Sequence, residues 1–435
     1  MDTDYDVIIV GAGPAGLSFA LSIAESSLKV LLLERSSLST LQNPPEDGRE
    51  IALTHLSVKL MKEAGVWARL PEQDVSPIEG AKVFDGDSSY SLDFDREDTD
   101  LEALGYLVPN HCIRKAYFDA VYDSKAIEIR TEASVENVST SEAVGFVELS
   151  NGEHLTAALV VAADTRFSEM RRKMGLSASL KDFSRTAIVC RMEHAAPHHQ
   201  TAFECFHYGR TTAILPMTGN RSSIVVTVNS REAQRFADMP ESEFNRDIEG
   251  QLYGLLGEMS LIGKRHIYPL VAVHANQFVT RRFALIGDAA VGMHPVTAHG
   301  FNLGLRGQAA LAKLLTRAHE QQKDIGELSL LQQYEAEQMK VTRVLYHGTN
   351  VVVGLFTHEA LAAKLARKLT LRIANNLPPL KGFIRNSLTE QGLESHFSPK
   401  AVLGRLPIVP PYKTLHKLGL KVADKIKPLS ILNRT

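Results

Sequence analysis

The stretch Tyr5–Gly16, YDVIIVGAGPAG, decides the fold. Its first half is a continuous apolar run, which is typical of a parallel strand buried on both faces. Its second half is a GxGxxG turn, and helical spacing follows from Pro14 to Ser26. A second buried strand is predicted over Lys29–Glu34. Strand, glycine turn, helix and strand together predict a βαβ unit that opens an α/β domain.

The glycine turn has the composition of a nucleotide site. The first glycine permits the tight turn, the second lets the backbone approach a pyrophosphate, and the third lets helix and strand pack closely. The pyrophosphate would rest on the free N–H groups of the helix start, and a carboxylate at the end of the next strand would accept the ribose hydroxyls. The alternative is a glycine turn that serves packing only. The residues assigned to this Rossmann-type site are Gly11, Gly13, Pro14, Ala15, Gly16, Glu34 and Arg35.

A second glycine-rich segment follows the buried strand predicted over Arg282–Ile286. Gly287 and Asp288 stand at the carboxyl end of that strand, where α/β sheets place ligands. Asp288 is expected to hold a hydroxyl of the nucleotide's sugar chain, and its alternative role is that of a helix cap. A long helix is predicted from Gly300 to Ala318, and its first amides would stabilise negative charge on a bound ring. The residues assigned to this helix start are Gly300, Phe301 and Asn302.

The order of the predicted elements indicates a Rossmann-type α/β domain interrupted by a sheet-containing domain, with a helical C-terminal tail. Ile51–Ala64 and Glu241–Leu256 have helical spacing, Ile127–Val138 and Leu155–Ala163 read as strands, and alternation over Thr186–Val228 predicts an antiparallel sheet. The nucleotide-binding domain is placed at residues 1–75, 105–180 and 270–345, the interrupting domain at 76–104 and 181–269, and the tail at 346–435.

The composition is that of a globular protein in a reducing compartment. The chain has 435 residues, of which 44% are hydrophobic and 23% charged. No CxxC pair occurs among Cys112, Cys190 and Cys205, which argues against a disulfide framework or a zinc site. Pro197 interrupts any helix over His194–His199, so a polar loop is predicted for this stretch and no metal is expected. The acidic N-terminus lacks the pattern of a signal peptide, and a cytoplasmic location is expected.

Positive charge is concentrated at the C-terminal end. From Ala360 to Thr435 there are 14 Lys and Arg against three acids, although the whole chain carries a net charge of −2. Leu361–Ala374 and Leu415–Leu429 each read as a basic amphipathic helix. This pattern favours peripheral docking on the inner face of the cytoplasmic membrane or on an acidic partner, and no nucleic-acid partner is expected. The alternative is that both helices pack on the nucleotide domain.

These motifs together resemble those of the single-component FAD-dependent aromatic hydroxylases, a family of flavoprotein monooxygenases. Within that family they are most similar to the subgroup that hydroxylates the ring during ubiquinone biosynthesis. The resemblance extends to about Leu393. It rests on Gly11–Gly16 with Glu34, on Gly287–Asp288, on His294–Pro295 with Gly300–Arg306, on Gly48–Leu53, and on the segment after Thr342 with Asn376–Pro378.

The resemblance implies FAD as the cofactor, NAD(P)H and O₂ as co-substrates, and a polyprenylated phenol or quinol as the substrate. By position, Arg49 is implied to neutralise the FAD pyrophosphate, and Asn110 to lie near the flavin edge. Asp164 and Arg171 belong to a string similar to the family's DGxxSxxR, which serves FAD and the nicotinamide. The alternative for Arg171 is a surface ion pair.

His294, Pro295 and His299 are implied to line the ring pocket, although a structural role for each histidine remains open. No side chain is expected to act as a nucleophile, because the cofactor carries the oxygen chemistry. Two other functions remain open on the same fold. One is a polyprenoid reductase or epoxidase, and the other is a non-catalytic, flavin-bound scaffold of a ubiquinone-biosynthesis complex.

Overall fold

The computed structural model of the protein describes residues 3–86, 91–98, 100–207, 209–294 and 299–357. Pro295 and the basic tail beyond residue 357, including both amphipathic helices predicted there, lie outside the described residues. Within the described ranges, no helix is long and apolar enough to cross a membrane.

The strands of the described residues are, in chain order, β1 (Tyr5–Val10), β2 (Val30–Leu33), β3 (Glu50–Leu53), β4 (Ser76–Ile78), β5 (Gly80–Asp85), β6 (Ser91–Asp95), β7 (Gly105–Pro109), β8 (Ile127–Arg130), β9 (Val135–Thr140), β10 (Gly145–Leu149), β11 (His154–Ala162), β12 (Ala178–His194), β13 (Thr201–His207), β14 (Arg210–Met217), β15 (Arg221–Asn229), β16 (Met259–Ala275), β17 (Val279–Thr280), β18 (Phe283–Leu285) and β19 (Val291–Gly292). The α-helices are α1 (Pro14–Ile23), α2 (Leu38–Gln42), α3 (His55–Glu63), α4 (Asn110–Tyr122), α5 (Glu169–Lys173), α6 (Ala233–Asp238), α7 (Glu241–Gln251), α8 (His299–Glu320) and α9 (Leu328–Thr357).

The first sheet has the strand order β17-β18-β11-β1-β2-β8, with the β9–β10 hairpin attached to β11. The strands β18, β11, β1, β2 and β8 are parallel neighbours. Val7, Ile8 and Ile9 of β1 are fully buried, because helices and strands cover both faces of a parallel sheet. The predicted βαβ opening and the α/β fold are confirmed.

The second sheet is mainly antiparallel, in the order β19-β16-β12-β15-β14-β13-β5-β6. The antiparallel arrangement predicted over Thr186–Val228 is confirmed by the register of β12 with β15 and of β15 with β14. One face of this sheet packs on α6 and α7 through a core that includes Ile188, Ile224 and Phe244. The strands β5 and β6 join it at one edge. The domain limits given above stay a prediction.

The expectation that Ile51–Ala64 forms a single helix is wrong. Its first residues belong to β3, in which Ile51 pairs with Val108 of β7. The helix α3 begins only after Thr54, whose Oγ accepts a hydrogen bond from the Ser57 amide at 3.3 Å. The leucine spacing is compatible with a helix throughout, but pairing with a distant strand overrides it at the start.

One further expectation differs in detail, because Ile127–Val138 contains two strands rather than one, β8 and the start of β9.

The last described helix, α9, runs from Leu328 to Thr357. Its Tyr334 hydroxyl donates to the Leu285 carbonyl at 2.8 Å, so the helix is anchored on the first sheet.

Candidate functional site

The glycine turn lies at the carboxyl edge of the first sheet. Gly11 adopts φ +109°, and a Cβ there would lie 2.7 Å from the Ala163 carbonyl oxygen. A Cβ on Gly16 would overlap the carbonyl oxygen of Gly11. Gly13 is different, since a Cβ on it would meet nothing within 4 Å. Packing therefore requires the first and third glycines, but it does not require the second.

The start of α1 is open for a ligand. Gly13 caps the helix without any side-chain hydrogen bond, and Pro14 occupies the first turn. The first N–H groups of a helix have no partner within it, and they carry the positive end of the helix dipole. An uncovered backbone at Gly13 together with an uncapped helix start fits the pyrophosphate of FAD.

Glu34 faces the same turn from the end of β2. Its Oε2 accepts from the Ala12 amide at 2.8 Å, and its Oε1 accepts from the Ser36 amide at 2.9 Å. A carboxylate has about four acceptor positions, so the side chain is oriented by the protein and still has capacity for ribose hydroxyls. Arg35 follows with an exposed side chain.

Asp288 follows β18, which lies two strands away from β1 in the first sheet. Gly287 adopts φ +58°, and a Cβ on it would lie 2.6 Å from the Ala15 side chain. Asp288 is the middle residue of the short helical turn Gly287–Ala289, whose N-cap is Ile286, so Asp288 does not cap this turn. Its carboxylate is instead held by Arg166 at 3.1 Å, with the side chain 42% exposed. It is therefore positioned and accessible beside the start of α1.

Asp164 and Arg171 have structural partners in the same region. The Asp164 Oδ2 accepts from the Glu169 amide at 2.9 Å, and its Oδ1 is buried with no partner. Arg171 is buried and donates to the carbonyl oxygens of Ala289 and Arg166 at 2.9 and 3.1 Å. Burial lowers the pKa of Arg171. The surface ion pair considered for Arg171 is wrong, because its guanidinium ties the segment of Arg166 to that of Asp288.

Arg49 and Asn110 both donate hydrogen bonds to Asp47, a residue that the sequence analysis did not identify. The Asp47 carboxylate accepts from Arg49 at 2.6 Å and from the Asn110 amide at 2.7 Å. Burial would raise the pKa of Asp47, but Arg49 and Asn110 hold it below its usual value. Tyr268 of the second sheet donates to the Asp47 carbonyl at 2.6 Å and lies under the Arg49 guanidinium. Asp47 directly precedes the Gly48–Leu53 string, but nothing in the sequence pointed to Tyr268.

The start of α8 is held against β3 and α3. The Asn302 side chain is buried, its Oδ1 accepts from Ser57 at 2.6 Å and from the Thr54 amide at 3.1 Å, and its Nδ2 donates to the Ala52 carbonyl at 2.9 Å. Its amide group is thus occupied by protein, and a contact with the cofactor would come from the backbone. Gly300 has open space where a Cβ would stand, and Phe301 beside it is half-buried.

His294 faces an apolar part of the second sheet. Its ring meets Phe183 edge to face with the centroids 4.7 Å apart. Burial, with smaller effects of Lys181 and Arg166, lowers the pKa of His294 to about 4, so the ring is neutral at neutral pH. Ala187, Val189 and Leu270 form the buried part of this apolar face. His299 begins α8, but its side chain, like Pro295, lies outside what the structure describes.

Glu50 and Arg191 form a second cluster that the sequence did not indicate. The Arg191 Nε donates to Glu50 Oε1 at 2.8 Å, and the two side chains are 19% and 1% exposed. Arg191 Nη1 also lies 3.2 Å from Glu46 Oε2. Burial raises the pKa of Glu50 to about 7, against the opposing effect of Arg191. Glu50 directly follows Arg49 in the chain.

The histidines of His194–His199 have structural partners. His194 is buried at the end of β12, with its ring nitrogens 2.8 Å from the Ala196 carbonyl and 3.0 Å from Ser222. His198 is also buried, with Nε2 2.8 Å from the Met217 carbonyl. Among the residues that the structure describes, no group of three or more His, Cys, Asp or Glu side chains is arranged to hold a metal ion.

The comparisons with known proteins agree with this geometry. A family model described as "FAD binding domain" matches residues 4–348. The chain is 48% identical over 393 residues to the ubiquinone hydroxylase UbiM of Neisseria meningitidis, covering 89% of this chain and 85% of that protein. It is 33% identical to the ubiquinone hydroxylase UbiL of Rhodospirillum rubrum, covering 89% of this chain and 90% of that one.

More distant similarity extends to other hydroxylases. The 3-demethoxyubiquinol 3-hydroxylase of Escherichia coli is 24% identical, with 88% of this chain and 93% of that protein covered. Among solved structures, p-nitrophenol 4-monooxygenase PnpA of Pseudomonas putida superposes with a TM-score of 0.71 at 18% identity, covering 89% of this chain and 99% of that one. At this identity the superposition establishes the fold.

Gly13→Asp is expected to abolish FAD retention while leaving the apoprotein folded. The position has open space for a side chain, but a carboxylate there would face the pyrophosphate. The measurement is the flavin-to-protein ratio of the purified variant, with the thermal melt of the apoprotein as the check on folding. Gly16→Ala is the matched control, because its Cβ has no room and should lower the Tm of the apoprotein. A Gly13→Asp protein that stays yellow with full flavin occupancy would refute the assignment.

Asp288→Ala is expected to weaken FAD binding about ten- to a hundredfold, since a charged hydrogen bond contributes roughly 1.5–3 kcal/mol. The measurement is the dissociation constant of FAD by fluorescence titration of the apoprotein. Asp324→Ala is the matched control, because Asp324 also pairs with an arginine, Arg282, and its side chain is 44% exposed. An unchanged dissociation constant for Asp288→Ala would remove this carboxylate from the site.

Proposed function

Since this chain belongs to the FAD-binding-domain family that includes the ubiquinone hydroxylases, we propose that it hydroxylates the aromatic ring of a polyprenylated phenol or quinol in ubiquinone biosynthesis. NAD(P)H is the reductant and O₂ the source of the oxygen atom. The proposal takes its substrate class from the relatives named above, which cover most of the chain.

The observation that carries the proposal is the arrangement at the carboxyl edge of the first sheet. An open helix start at Gly13, the Glu34 carboxylate and the Asp288 carboxylate meet along neighbouring parallel strands. These groups match the pyrophosphate, the ribose and the ribityl chain of one extended dinucleotide. FAD bound there supplies the electron transfer and the oxygen activation.

The protein's own residues bind the substrate and orient its ring. The apolar face around Val189 and Leu270, with the neutral ring of His294 near it, suits an aromatic ring that carries a prenyl chain. Arg49 adds a positive charge that is paired with Asp47 and held over Tyr268 of the second sheet. A largely apolar surface excludes water, which strengthens electrostatic interactions within the site.

The test is hydroxylation by the purified, FAD-loaded protein of an ortho-prenylphenol, with NAD(P)H and oxygen-18 gas. The expected product is the substrate plus one oxygen atom that carries the heavy isotope, detected by mass spectrometry. A product with a reduced double bond or an epoxide on the prenyl chain would favour the reductase or epoxidase instead. A protein that binds FAD but is not reduced by NAD(P)H would contradict catalysis and favour a scaffold.

We further propose that the protein works in the cytoplasm, at the inner face of the cytoplasmic membrane or within a ubiquinone-biosynthesis complex. The support is the charge pattern of residues 360–435, which lie outside the described residues, with 14 basic against three acidic side chains. A basic residue near an anionic surface contributes about 1 kcal/mol, and the effect decays within a Debye length. A lipid-soluble substrate would be handed over at such a surface.

A protein truncated after Arg405 is expected to keep FAD and to oxidise NAD(P)H, and to lose salt-sensitive binding to anionic vesicles. The truncation removes the second basic amphipathic stripe, Leu415–Leu429. The measurement is co-sedimentation with phosphatidylglycerol vesicles at low and high salt, and neutral vesicles are the control. The membrane role of this stripe is wrong if the full chain ignores anionic vesicles at low salt, or if the truncated protein binds them equally well.

A further inference from the structure

The Glu50–Arg191 pair contains a free donor and a free acceptor. Arg191 uses Nε and Nη1 on Glu50 and Glu46, and its Nη2 is buried without a partner. Glu50 uses Oε1, and its Oε2 is buried without a partner. Because Nη2 shares Cζ with Nε, and Oε2 shares Cδ with Oε1, both free atoms belong to the same ion pair.

Such a pair is incomplete by the usual standards of a protein interior. An arginine and a carboxylate in close contact generally form two parallel hydrogen bonds, and here they form one. A buried polar atom without a partner is destabilising, and more so when the group is charged. Most buried polar atoms in folded proteins have a partner, so an orphan atom indicates strain, a functional contact or a bound water or ion.

A third orphan atom stands next to the pair. Ser223 on β15 lies directly opposite Arg191 in the strand register, so the two side chains share one face of the sheet. Ser223 is fully buried, and its Oγ has no partner. Three unfilled polar positions are therefore contributed by β3, β12 and β15.

The surroundings of the cluster are apolar on one side and charged on the other. Val189 and Val225 lie on the same sheet face as Arg191, two residues along their strands, and belong to the apolar face that Leu270 completes. On the other side, Glu50 is the chain neighbour of Arg49, whose guanidinium lies over Tyr268. The free atoms thus lie on the sheet face of this buried apolar cluster, and Glu50 adjoins Arg49 in the chain.

We propose that Glu50 and Arg191 hold the ring hydroxyl of the substrate, with Arg191 Nη2 donating to the hydroxyl oxygen and Glu50 Oε2 accepting its proton. This inference rests on the proposed function, because it assigns the polar end of a phenol to a site beside the flavin. A hydroxyl group supplies one donor for Glu50 Oε2 and two acceptor lone pairs, one of them for Arg191 Nη2. Ser223 Oγ offers a further hydrogen bond to the same oxygen.

The proton transfer makes the ring a better electron donor. The phenol O–H bond breaks, the proton moves to Glu50 Oε2, and the electron pair remains on the ring oxygen. The phenolate is held beside the Arg191 guanidinium, which balances its charge. An ionised ring oxygen raises the electron density at its ortho and para carbons, where hydroxylation occurs.

The electrostatic environment suits a proton acceptor that works near neutral pH. Burial raises the pKa of Glu50 to about 7, Arg191 opposes this rise, and Asp47 and Asp74 add to it. His111 of α4 and Glu46 also lie within electrostatic range of the cluster. Below this pKa Glu50 is protonated and cannot accept a proton, so hydroxylation is expected to rise as the pH increases through about 7.

The test uses the FAD-loaded full chain and a fluorinated ortho-prenylphenol, observed by fluorine NMR at pH 8. A free phenol has a pKa near 10 and is neutral at this pH, whereas the bound probe is expected to show the chemical shift of the phenolate. In Glu50→Gln the bound probe is expected to keep the shift of the neutral phenol. Hydroxylation of the probe should fall about a hundredfold, and its pH dependence near neutrality should disappear.

The methyl ether of the probe supplies a test that needs no variant. It cannot donate a proton, so it should bind the unmodified protein at least about tenfold more weakly than the phenol. Equal binding of phenol and ether would mean that the pair holds only an ordered water, and it would overturn the inference even if Glu50→Gln failed to fold. Asp247→Asn is the control variant. Asp247 of α7 pairs with Arg210 of the second sheet at 2.8 Å, and its substitution should leave every readout unchanged.

The two proposals fail in different ways. If the unmodified protein hydroxylates the probe, and Glu50→Gln with full flavin does so equally well, only the role of Glu50 and Arg191 is overturned. If the unmodified protein is reduced by NAD(P)H but neither binds nor hydroxylates the probe, the substrate class of the proposed function falls, and this inference falls with it. Phenolate formation in the unmodified protein that persists in Glu50→Gln would assign the proton to another group.

Discussion

The close approach of α1 to the parallel sheet is the constraint on which the rest of the site depends. Gly16 has no room for a Cβ against the Gly11 carbonyl, and Gly287 has none against Ala15. A side chain at either position would displace the helix start from the carboxyl edge of the sheet. Glu34 and Asp288 would then no longer face the same space as the free N–H groups of the helix. One steric condition therefore sets both the packing of the domain and its capacity to bind a dinucleotide.

A short segment, residues 46–50, provides the second constraint by joining β3 and α4 to the second sheet. Asp47 receives hydrogen bonds from Arg49, from Asn110 and, through its carbonyl, from Tyr268. Glu50 pairs with Arg191 of the second sheet. Gly48 adopts φ +69°, and a Cβ on it would lie 2.5 Å from the His266 ring, so the segment turns sharply where it meets the sheet. The face that is proposed to receive the substrate is thus held next to the cofactor site by a few charged contacts.

The parts of the site that could be predicted are those encoded by neighbours in the chain. The glycine turn, Glu34 at a strand end and Asp288 after Gly287 each follow from a local pattern whose geometry the backbone itself imposes. The strand at Glu50–Leu53 was missed, because its spacing also fits a helix and only pairing with β7 decides between them. Asn302 shows the same limit of local patterns. Its motif suggests a contact with the cofactor, but its side chain forms hydrogen bonds with Ser57, Thr54 and Ala52.

The sequence by itself determined the α/β class, the FAD cofactor and the alternation of the second sheet, because period and turn chemistry act over a few residues. Only the tertiary structure decided which polar groups meet. Arg166 and Asp288, Asp47 and Tyr268, and Glu50 and Arg191 are each more than a hundred residues apart in the chain. No local pattern relates such partners, since their contact depends on strand order and register and on how the separate sheets pack. The proposed substrate contacts belong to this second category, because burial and the lack of partners at Glu50, Arg191 and Ser223 arise only when β3, which forms a separate sheet with β7 and β4, meets the second sheet.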